Sequence, residues 1–275
     1  MKALFDITPG ETVTEQCVLT CEVSGDTFSY AIREVSGSIV ATGIFEYNAV
    51  SDGKEMSKTL GELLQHHDLL SRDFKRVNIV YSVPESVLIP YALYNNKYNS
   101  EVLQLLHGDI DADSKVFAES IKPYDLYNVY KVPAAMYEAV CSRYPYCRET
   151  HQYTAVLKQK DQPETDLLSV IFYRKKMVVS LYKDGRYVLI NTYLFRQAED
   201  VSYILLNIFR EFNLTDIELR LSGLIEENSA LYRDMYKYFE WITFDGFKTN
   251  DQVPENISTY PAQYFSHIFA FDTCE

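Results

Sequence analysis

Residues 166–195 read DLLSVIFYRKKMVVSLYKDGRYVLINTYLF. It contains three segments rich in β-branched and aromatic residues, which are broken at Arg174-Lys175 and again at Asp184-Gly185. Short polar breaks of this kind join neighbouring antiparallel strands. The stretch therefore predicts a three-stranded β-meander.

A helix, a strand and a second helix are predicted to follow this meander. Residues 198–213 carry apolar side chains at helical spacing, and Val201, Leu205 and Ile208 share the inward face. Residues 216–222 alternate as a strand does, and residues 226–239 return to a helical pattern. The second half of the chain thus reads β-β-β-α-β-α.

The first half repeats the same order. Residues 17–47 predict a meander with turns at Ser24-Gly25-Asp26 and Ser36-Gly37. The elements predicted after it are a helix at about 54–68, a strand at 76–83, a helix at 90–108, strands in KVFAES, LYNVYKV and HQYTAVLKQ, and a short helix from Pro133.

The boundary between the two repeats is predicted in the polar, proline-bearing stretch 158–166. We accordingly expect an N-terminal lobe of residues 1–160 and a C-terminal lobe of residues 161–275. The last residues, 262–275, place Phe265, Ile268 and Phe269 at helical spacing. They predict a C-terminal helix that packs back on the body.

Two consecutive βββαβα lobes are the plan of the actin-like ATPase superfamily, whose lobes are ribonuclease H-like. The chain resembles, over essentially its whole length, a Bacteroidetes family of unknown function with an actin-like fold. The stretches that carry this resemblance are LTCEVSGDTFSYAI (19–32), VYSVPESVLIPYALYN (80–95), HQYTAVL (151–157), AEDVSYILLNIFREFNL (198–214), LRLSGLIEENSALY (219–232) and FAFDTCE (269–275). The resemblance implies the α/β actin-like fold with two duplicated lobes.

Actin-like ATPases hold nucleotide with glycine-containing hairpins in both lobes and with a strand-Gly-Gly-helix turn. The resemblance places the first hairpin at Ser24, Gly25, Asp26 and Thr27, with Glu22 instead of the expected aspartate. The second hairpin, FYRKKMV (172–178), contains no glycine or acid, and the third turn keeps Ser222 and Gly223 but has Leu224 in place of the second glycine. We therefore expect a vestigial nucleotide site, no required cofactor, and at most weak binding of ATP with magnesium.

Other chemistries find little support in the sequence. The stretch DIDAD (109–113) resembles the start of a calcium loop, but Ser114 and Ser120 stand where a glycine and a bidentate glutamate are needed. His66-His67-Asp68 ends a predicted helix with no second ligand cluster. We predict neither catalytic residues nor metal ligands.

Net charge and cysteine content restrict the partners and the cellular compartment that we expect for the protein. The formal net charge is −13 and no basic stripe is present, which disfavours nucleic acid as a partner. No apolar run is long enough to insert in a membrane, and the first residues lack a secretory signal, so we expect a cytoplasmic protein. Five cysteines fit free thiols in that compartment. Cys17 with Cys21 and Cys141 with Cys147 are spaced as candidate metal pairs, although burial as small hydrophobic residues is favoured.

Three functions are compatible with these patterns. The favoured hypothesis is a non-catalytic actin-like scaffold with a protein partner, because the phosphate turns are altered and the 23 tyrosines suit contact surfaces. The first alternative is a diverged nucleotide-dependent sugar kinase or ATPase. The second is a small-molecule sensor that uses the cleft between the lobes. The sequence leaves the partner and the oligomeric state open.

Overall fold

The computed structural model describes residues 1–8, 13–47, 53–108, 113–159, 162–248 and 252–271. The chain divides into two compact units. The first comprises Met1–Gln159, Asn250–Ile257 and Phe271–Glu275, and the second comprises Lys160–Thr249 and Ser258–Ala270.

Two sheets organise the first unit. Its elements in chain order are β1 (Lys2–Ile7), β2 (Val18–Ser24), β3 (Thr27–Arg33), β4 (Ile39–Glu46), α1 (Gly53–His66), β5 (Arg76–Ser82), β6 (Ser86–Pro90), α2 (Asn99–His107), β7 (Lys115–Ile121), β8 (Leu126–Val132), α3 (Ala134–Arg143), β9 (Arg148–His151) and α4 (Gln152–Leu157). The main sheet has the order β1-β4-β3-β2-β5-β9, with β2, β5 and β9 parallel. Strands β6, β8 and β7 form a separate antiparallel sheet that α2 contacts.

One mixed sheet organises the second unit. The elements that complete the chain are β10 (Leu167–Phe172), β11 (Lys176–Lys183), β12 (Arg186–Leu194), α5 (Ala198–Glu211), β13 (Glu218–Gly223), α6 (Ala230–Met235), β14 (Ile242–Phe244), α7 (Glu255–Ser258) and α8 (Ser266–Phe271). The sheet order is β12-β11-β10-β13-β14, with β10, β13 and β14 parallel. No helix in the described part of the chain is both long and apolar enough to cross a membrane.

The two main sheets share one topology. The order β4-β3-β2-β5-β9 in the first unit matches β12-β11-β10-β13-β14 in the second, strand for strand and direction for direction. The prediction of duplicated βββαβα lobes is confirmed. Each lobe also has a fifth strand, β9 or β14, which is only four or three residues long.

Alternation along the central strands explains the cores. In β2, Leu19, Cys21 and Val23 lie in an apolar cluster with residues of α1 and α3. In the second unit, Val201, Leu205 and Ile208 of α5 are buried against residues of β10 and β13. All seven residues of β2 are buried, so both faces of the first sheet are covered at this strand.

Three predicted elements differ from the structure. The strand predicted at HQYTAVLKQ is wrong, because β9 ends at His151 and the buried residues 152–157 form α4, which His151 caps by accepting from the Tyr153 amide at 3.0 Å. The helix predicted at 90–108 begins only at Asn99, after two short 3₁₀ turns. The helix predicted at 226–239 is limited to residues 230–235, where Ser229 caps the first turn.

The C-terminal residues contribute to both units. Sequence patterns assigned residues 161–275 to one lobe, yet Asn250–Ile257 group with the first unit. The reason is a set of hydrogen bonds: Ser38 Oγ donates to Gln252 Oε1 at 2.6 Å, and the Ile39 amide donates to the Gln252 carbonyl at 3.0 Å. In the second unit, Phe265 and Ile268 are fully buried. Residues 272–275, which complete the predicted C-terminal helix, lie outside the described residues.

Candidate functional site

The three parallel strands of the first-unit sheet end side by side. Strand β2 ends at Ser24, β5 at Ser82 and β9 at His151. The register places Ser24 opposite Ser82, and Tyr81 opposite His151. Ligands of open α/β sheets bind beyond the carboxyl ends of such strands. This edge, which carries the first predicted hairpin, is therefore the first candidate for a binding site.

The polar groups of the hairpin Ser24-Gly25-Asp26-Thr27 form hydrogen bonds with one another. The backbone amides of Asp26 and Thr27 donate to Ser24 Oγ at 3.3 and 3.0 Å. The Ser24 hydroxyl also lies 2.7 Å from Asp26 Oδ1 and 3.0 Å from Thr27 Oγ1. A Cβ added at Gly25 would meet nothing within 4 Å, so the fold does not require glycine there. The amides that a phosphate would need are thus already used inside the loop.

A carboxylate lies next to this hairpin. Glu22 is 2% exposed, and alternation along β2 places it on the same face as Thr20 and Ser24. Thr20 Oγ1 accepts a hydrogen bond from Asn78 Nδ2 at 3.2 Å. Glu22 therefore occupies a buried polar face of the sheet, at the position where the resemblance expects aspartate.

The rest of this edge is held by internal hydrogen bonds. Ser82 Oγ donates to Gln152 Oε1 at 2.7 Å. The His151 ring is fully buried, with Nε2 2.9 Å from the Val83 carbonyl and Nδ1 accepting from the Tyr153 amide. Because Nδ1 accepts, the proton resides on Nε2 and is donated to Val83. Ser82 and His151 thus connect β5 to α4.

The second hairpin is a charged turn. The Tyr173 amide donates to the Lys176 carbonyl at 2.9 Å, which leaves Arg174 and Lys175 exposed at the tip. Lys176 is buried, and its Nζ lies 4.9 Å from the centre of the Tyr173 ring. One of the three cations is therefore held over an aromatic face, and only the other two extend towards solvent.

The turn at Ser222-Gly223 has a steric explanation. Gly223 has a φ of +79°, and a Cβ placed on it would lie 2.2 Å from the Phe172 carbonyl oxygen and 2.8 Å from the Phe172 nitrogen. Gly223 pairs directly with Phe172 in the parallel register, and the Leu224 amide donates to the Phe172 carbonyl at 2.8 Å. The close approach of β13 to β10 thus requires glycine at this position, with or without a ligand.

Sequence patterns did not single out Asp245, which follows β14, or His267, which packs on the second hairpin. Asp245 directly follows β14, and its amide donates to the Leu221 carbonyl at 2.8 Å. Burial raises the pKa of Asp245, while the Ser266 hydroxyl and the charge of Arg220 act in the opposite direction. His267 is 5% exposed and packs edge-on against Tyr173, with 5.9 Å between ring centres. Tyr173 therefore contacts both Lys176 and His267, which gives the second unit a polar cluster at the same edge of its sheet.

The other candidate clusters have local structural roles or lie outside the described residues. His67 Nδ1 accepts from the Leu69 and Leu70 amides, and its Nε2 lies 3.2 Å from Asp6 Oδ2, so this histidine ties the turn after α1 to β1. Residues 109–112 of the calcium-like stretch are not described. Within the described ranges, no group of three or more His, Cys, Asp or Glu side chains is arranged to hold a metal ion.

The cysteines lead to a prediction about thiol chemistry. Cys17, Cys21, Cys141 and Cys147 are free, whereas Cys274 lies outside the described residues. Burial, reinforced by Glu149, raises the pKa of Cys147 to about 12, and burial also raises the pKa of Cys21. Because the thiolate is the reactive form, we expect slow iodoacetamide labelling of both in the native protein at about pH 8, and rapid labelling after unfolding. Peptide mass spectrometry without reduction measures this, and a native disulfide or fast labelling of Cys21 would contradict it.

A family model described as a protein of unknown function (DUF3822) matches residues 10–242. The chain belongs to this family. The match spans both repeats of the DUF3822 chain, from before β2 to the start of β14. No curated protein matches the sequence.

Solved structures identify the fold of this DUF3822 protein. A Bacteroides thetaiotaomicron protein with an actin-like ATPase fold and unknown function is similar, with 19% identity, a TM-score of 0.72 and coverage of 95% of this chain and 97% of that one. A chain of the PilM–PilN type IV pilus biogenesis complex follows at 10% identity and TM-score 0.62, covering 96% and 100%. The ethanolamine utilization protein EutJ from Carboxydothermus hydrogenoformans has 7% identity and TM-score 0.56, covering 96% and 92%. The predicted actin-like fold and the resemblance to a family of unknown function are confirmed.

Proposed function

We propose that this chain is a cytoplasmic actin-like protein that binds a protein partner and does not turn over nucleotide. The observation that carries the proposal is the second hairpin, in which Lys176 is held over the Tyr173 ring and Arg174-Lys175 form the tip. Phosphate oxygens need closely approaching backbone amides, and a turn of long side chains keeps a ligand away from them.

The first hairpin supports the same conclusion. Binding a phosphate there would require the Asp26 and Thr27 amides to leave Ser24 Oγ, and the phosphate would meet the Asp26 carboxylate beside them. Breaking formed hydrogen bonds and approaching a like charge both weaken anion binding. We therefore propose that a vestigial nucleotide site comprises Ser24, Gly25, Asp26, Thr27, Ser222 and Gly223.

Exposed aromatic residues support the proposal that this chain binds a protein partner. The exposed large hydrophobic side chains include Trp241 and the tyrosines Tyr91, Tyr98, Tyr146, Tyr203, Tyr236, Tyr238 and Tyr260. Tyrosine and tryptophan are enriched at protein interfaces. The similar chain in the PilM–PilN type IV pilus biogenesis complex is part of a protein complex, which favours an interaction role for this chain.

A thermal-shift titration with ATP and magnesium tests the proposal against the diverged kinase or ATPase. A live site with a dissociation constant near 10 µM would stabilise the fold by about 2.7 kcal/mol at about 1 mM ligand. That gain corresponds to a rise in Tm of about 5 °C or more. We expect a rise of less than about 1 °C. An ATP-dependent rise of about 5 °C that is lost in Asp26→Asn would reject a vestigial site.

A further inference from the structure

The sheet of the second unit ends in a long edge strand. Strand β12 has nine residues, and β11 is the one strand of the described residues that pairs with it. The other end strands of the two main sheets are shorter, with six residues in β1, four in β9 and three in β14. A long edge presents a row of backbone N–H and C=O groups that a further strand can join.

The register of β12 shows which of its backbone groups face the outer side of the sheet. The Phe195 amide donates to the Lys175 carbonyl at 3.1 Å, so every second residue from Leu189 to Phe195 is bonded to β11. Ile190 and Leu194 lie between those residues and direct their amide and carbonyl groups away from β11. Their side chains share one face of the strand, and Leu194 is 75% exposed. The edge therefore offers backbone groups and apolar side chains to the same ligand.

The first unit shows what covers this edge when the same sheet is complete. Strand β4, the counterpart of β12, pairs on its outer side with the antiparallel strand β1, whose sequence is KALFDI. Six of the eight residues of β4 are buried, whereas no residue of β12 is buried. The duplicated sheets therefore indicate that the edge of β12 accepts an extended antiparallel segment.

The charges around β12 indicate the chemistry of that segment. The chain carries −13 overall, yet residues 174–196 contain a single acid, Asp184. Arg186 is exposed at the start of β12, and Arg196 is exposed just after its end. Lys175 is exposed at the hairpin tip, and its carbonyl is bonded to the residue that follows β12. Cations at both ends of the edge favour an acidic ligand and disfavour a basic one.

We propose that the edge of β12 is a docking site for an extended, acidic segment of a partner protein, which joins the second-unit sheet as an antiparallel strand. Apolar side chains at alternate positions of this segment contact Ile190 and Leu194, and its acidic residues pair with Arg186 and Arg196. The inference rests on the protein partner proposed above and adds the surface and the chemistry of that partner. ATP turnover would reject the proposed function without affecting the edge, whereas an edge that accepts no strand would reject the docking site alone.

Hydrogen exchange of the full chain, followed by NMR, tests whether the edge is open. We expect the amides of Leu189, Asn191 and Tyr193 to exchange slowly, because they are bonded to β11. The amides of Ile190 and Leu194 are expected to exchange at least about a hundredfold faster. Equal protection of both sets in the free chain would mean that the edge is already covered, which overturns the proposal.

Two end-blocked peptides built on the β1 sequence serve as probes of binding. DALFDI is acidic, and KALFKI is its basic control. We expect DALFDI to bind with a dissociation constant below about 1 mM and to slow exchange of the Ile190 and Leu194 amides about tenfold. KALFKI is expected to bind at least about tenfold more weakly. Absence of DALFDI binding, or binding that protects neither amide, overturns the proposal.

Charge reversal at the ends of β12 tests the proposed recognition. The double variant Arg186→Glu with Arg196→Glu is expected to bind KALFKI more tightly than DALFDI. The matched control is Lys58→Glu with Lys97→Glu, which reverses two exposed cations of the first unit and is expected to keep the preference for DALFDI. Circular dichroism confirms that each variant is folded. An unchanged preference in the β12 variant overturns the proposal, as does tighter binding of a single-stranded oligonucleotide than of DALFDI by the wild-type chain.

Discussion

Replacement of Gly223 by alanine is expected to lower the free energy of unfolding by about 2 to 5 kcal/mol. Two effects add. The φ of +79° strains any residue with a side chain, and the new Cβ would overlap the Phe172 backbone, with 2.2 Å to its carbonyl oxygen. Backbone cannot rotate out of the way as a side-chain tip does, so β13 must move from β10 and weaken the parallel pairing. Urea-induced unfolding followed by circular dichroism measures the loss.

Gly25→Ala is the matched control for Gly223→Ala. Gly25 lies outside the left-handed region, and its added Cβ would meet nothing within 4 Å. We expect a change of no more than about 1 kcal/mol, with stabilisation favoured because alanine restricts the unfolded chain. Equal effects of the two substitutions would show that the steric explanation of Gly223 is wrong.

The parts of the fold that the sequence predicted are those with local causes. The turns at Ser24-Gly25-Asp26 and at Asp184-Gly185 lie where predicted, because short polar breaks between β-rich runs determine hairpins almost alone. The inward face of helix α5 can be predicted from the sequence, because Val201, Leu205 and Ile208 recur at helical spacing within its 14 residues. Repetition of this pattern was enough to predict the duplicated fold.

The errors occur where tertiary contacts decide. Helix α4 is buried at all six positions, so its apolar run has no period that distinguishes a helix from a strand. Strand β14 is only three residues long, which is too short to show an alternating pattern. The sequence therefore does not indicate that Asp245 follows a strand. His267 reaches Tyr173 because α8 folds against the same unit, a contact between residues 94 positions apart in the chain. Long-range contacts of this kind cannot be predicted from local sequence patterns.

Hydrolysis of ATP by this chain is expected to be negligible. Catalysis of phosphoryl transfer consists mostly of positioning and charge stabilisation, which actin-like ATPases obtain from glycine-containing hairpins. The first hairpin uses its amides internally, and the second presents Arg174 and Lys175 with Lys176 held over Tyr173. Loss of one set of transition-state contacts costs about 3 kcal/mol, or on the order of a hundredfold in rate, and two sets are altered here.

Steady-state release of phosphate from ATP with magnesium measures this hydrolysis. We expect turnover below about 0.01 per second, with no further decrease in Glu22→Gln or Asp26→Asn, because neither carboxylate organises a reacting phosphate. Those two variants probe the carboxylates without the steric damage that a substitution at Gly223 would cause. Turnover of about one per second or more, reduced at least about tenfold in either variant, would show an active nucleotide site and contradict the expectation of a vestigial one.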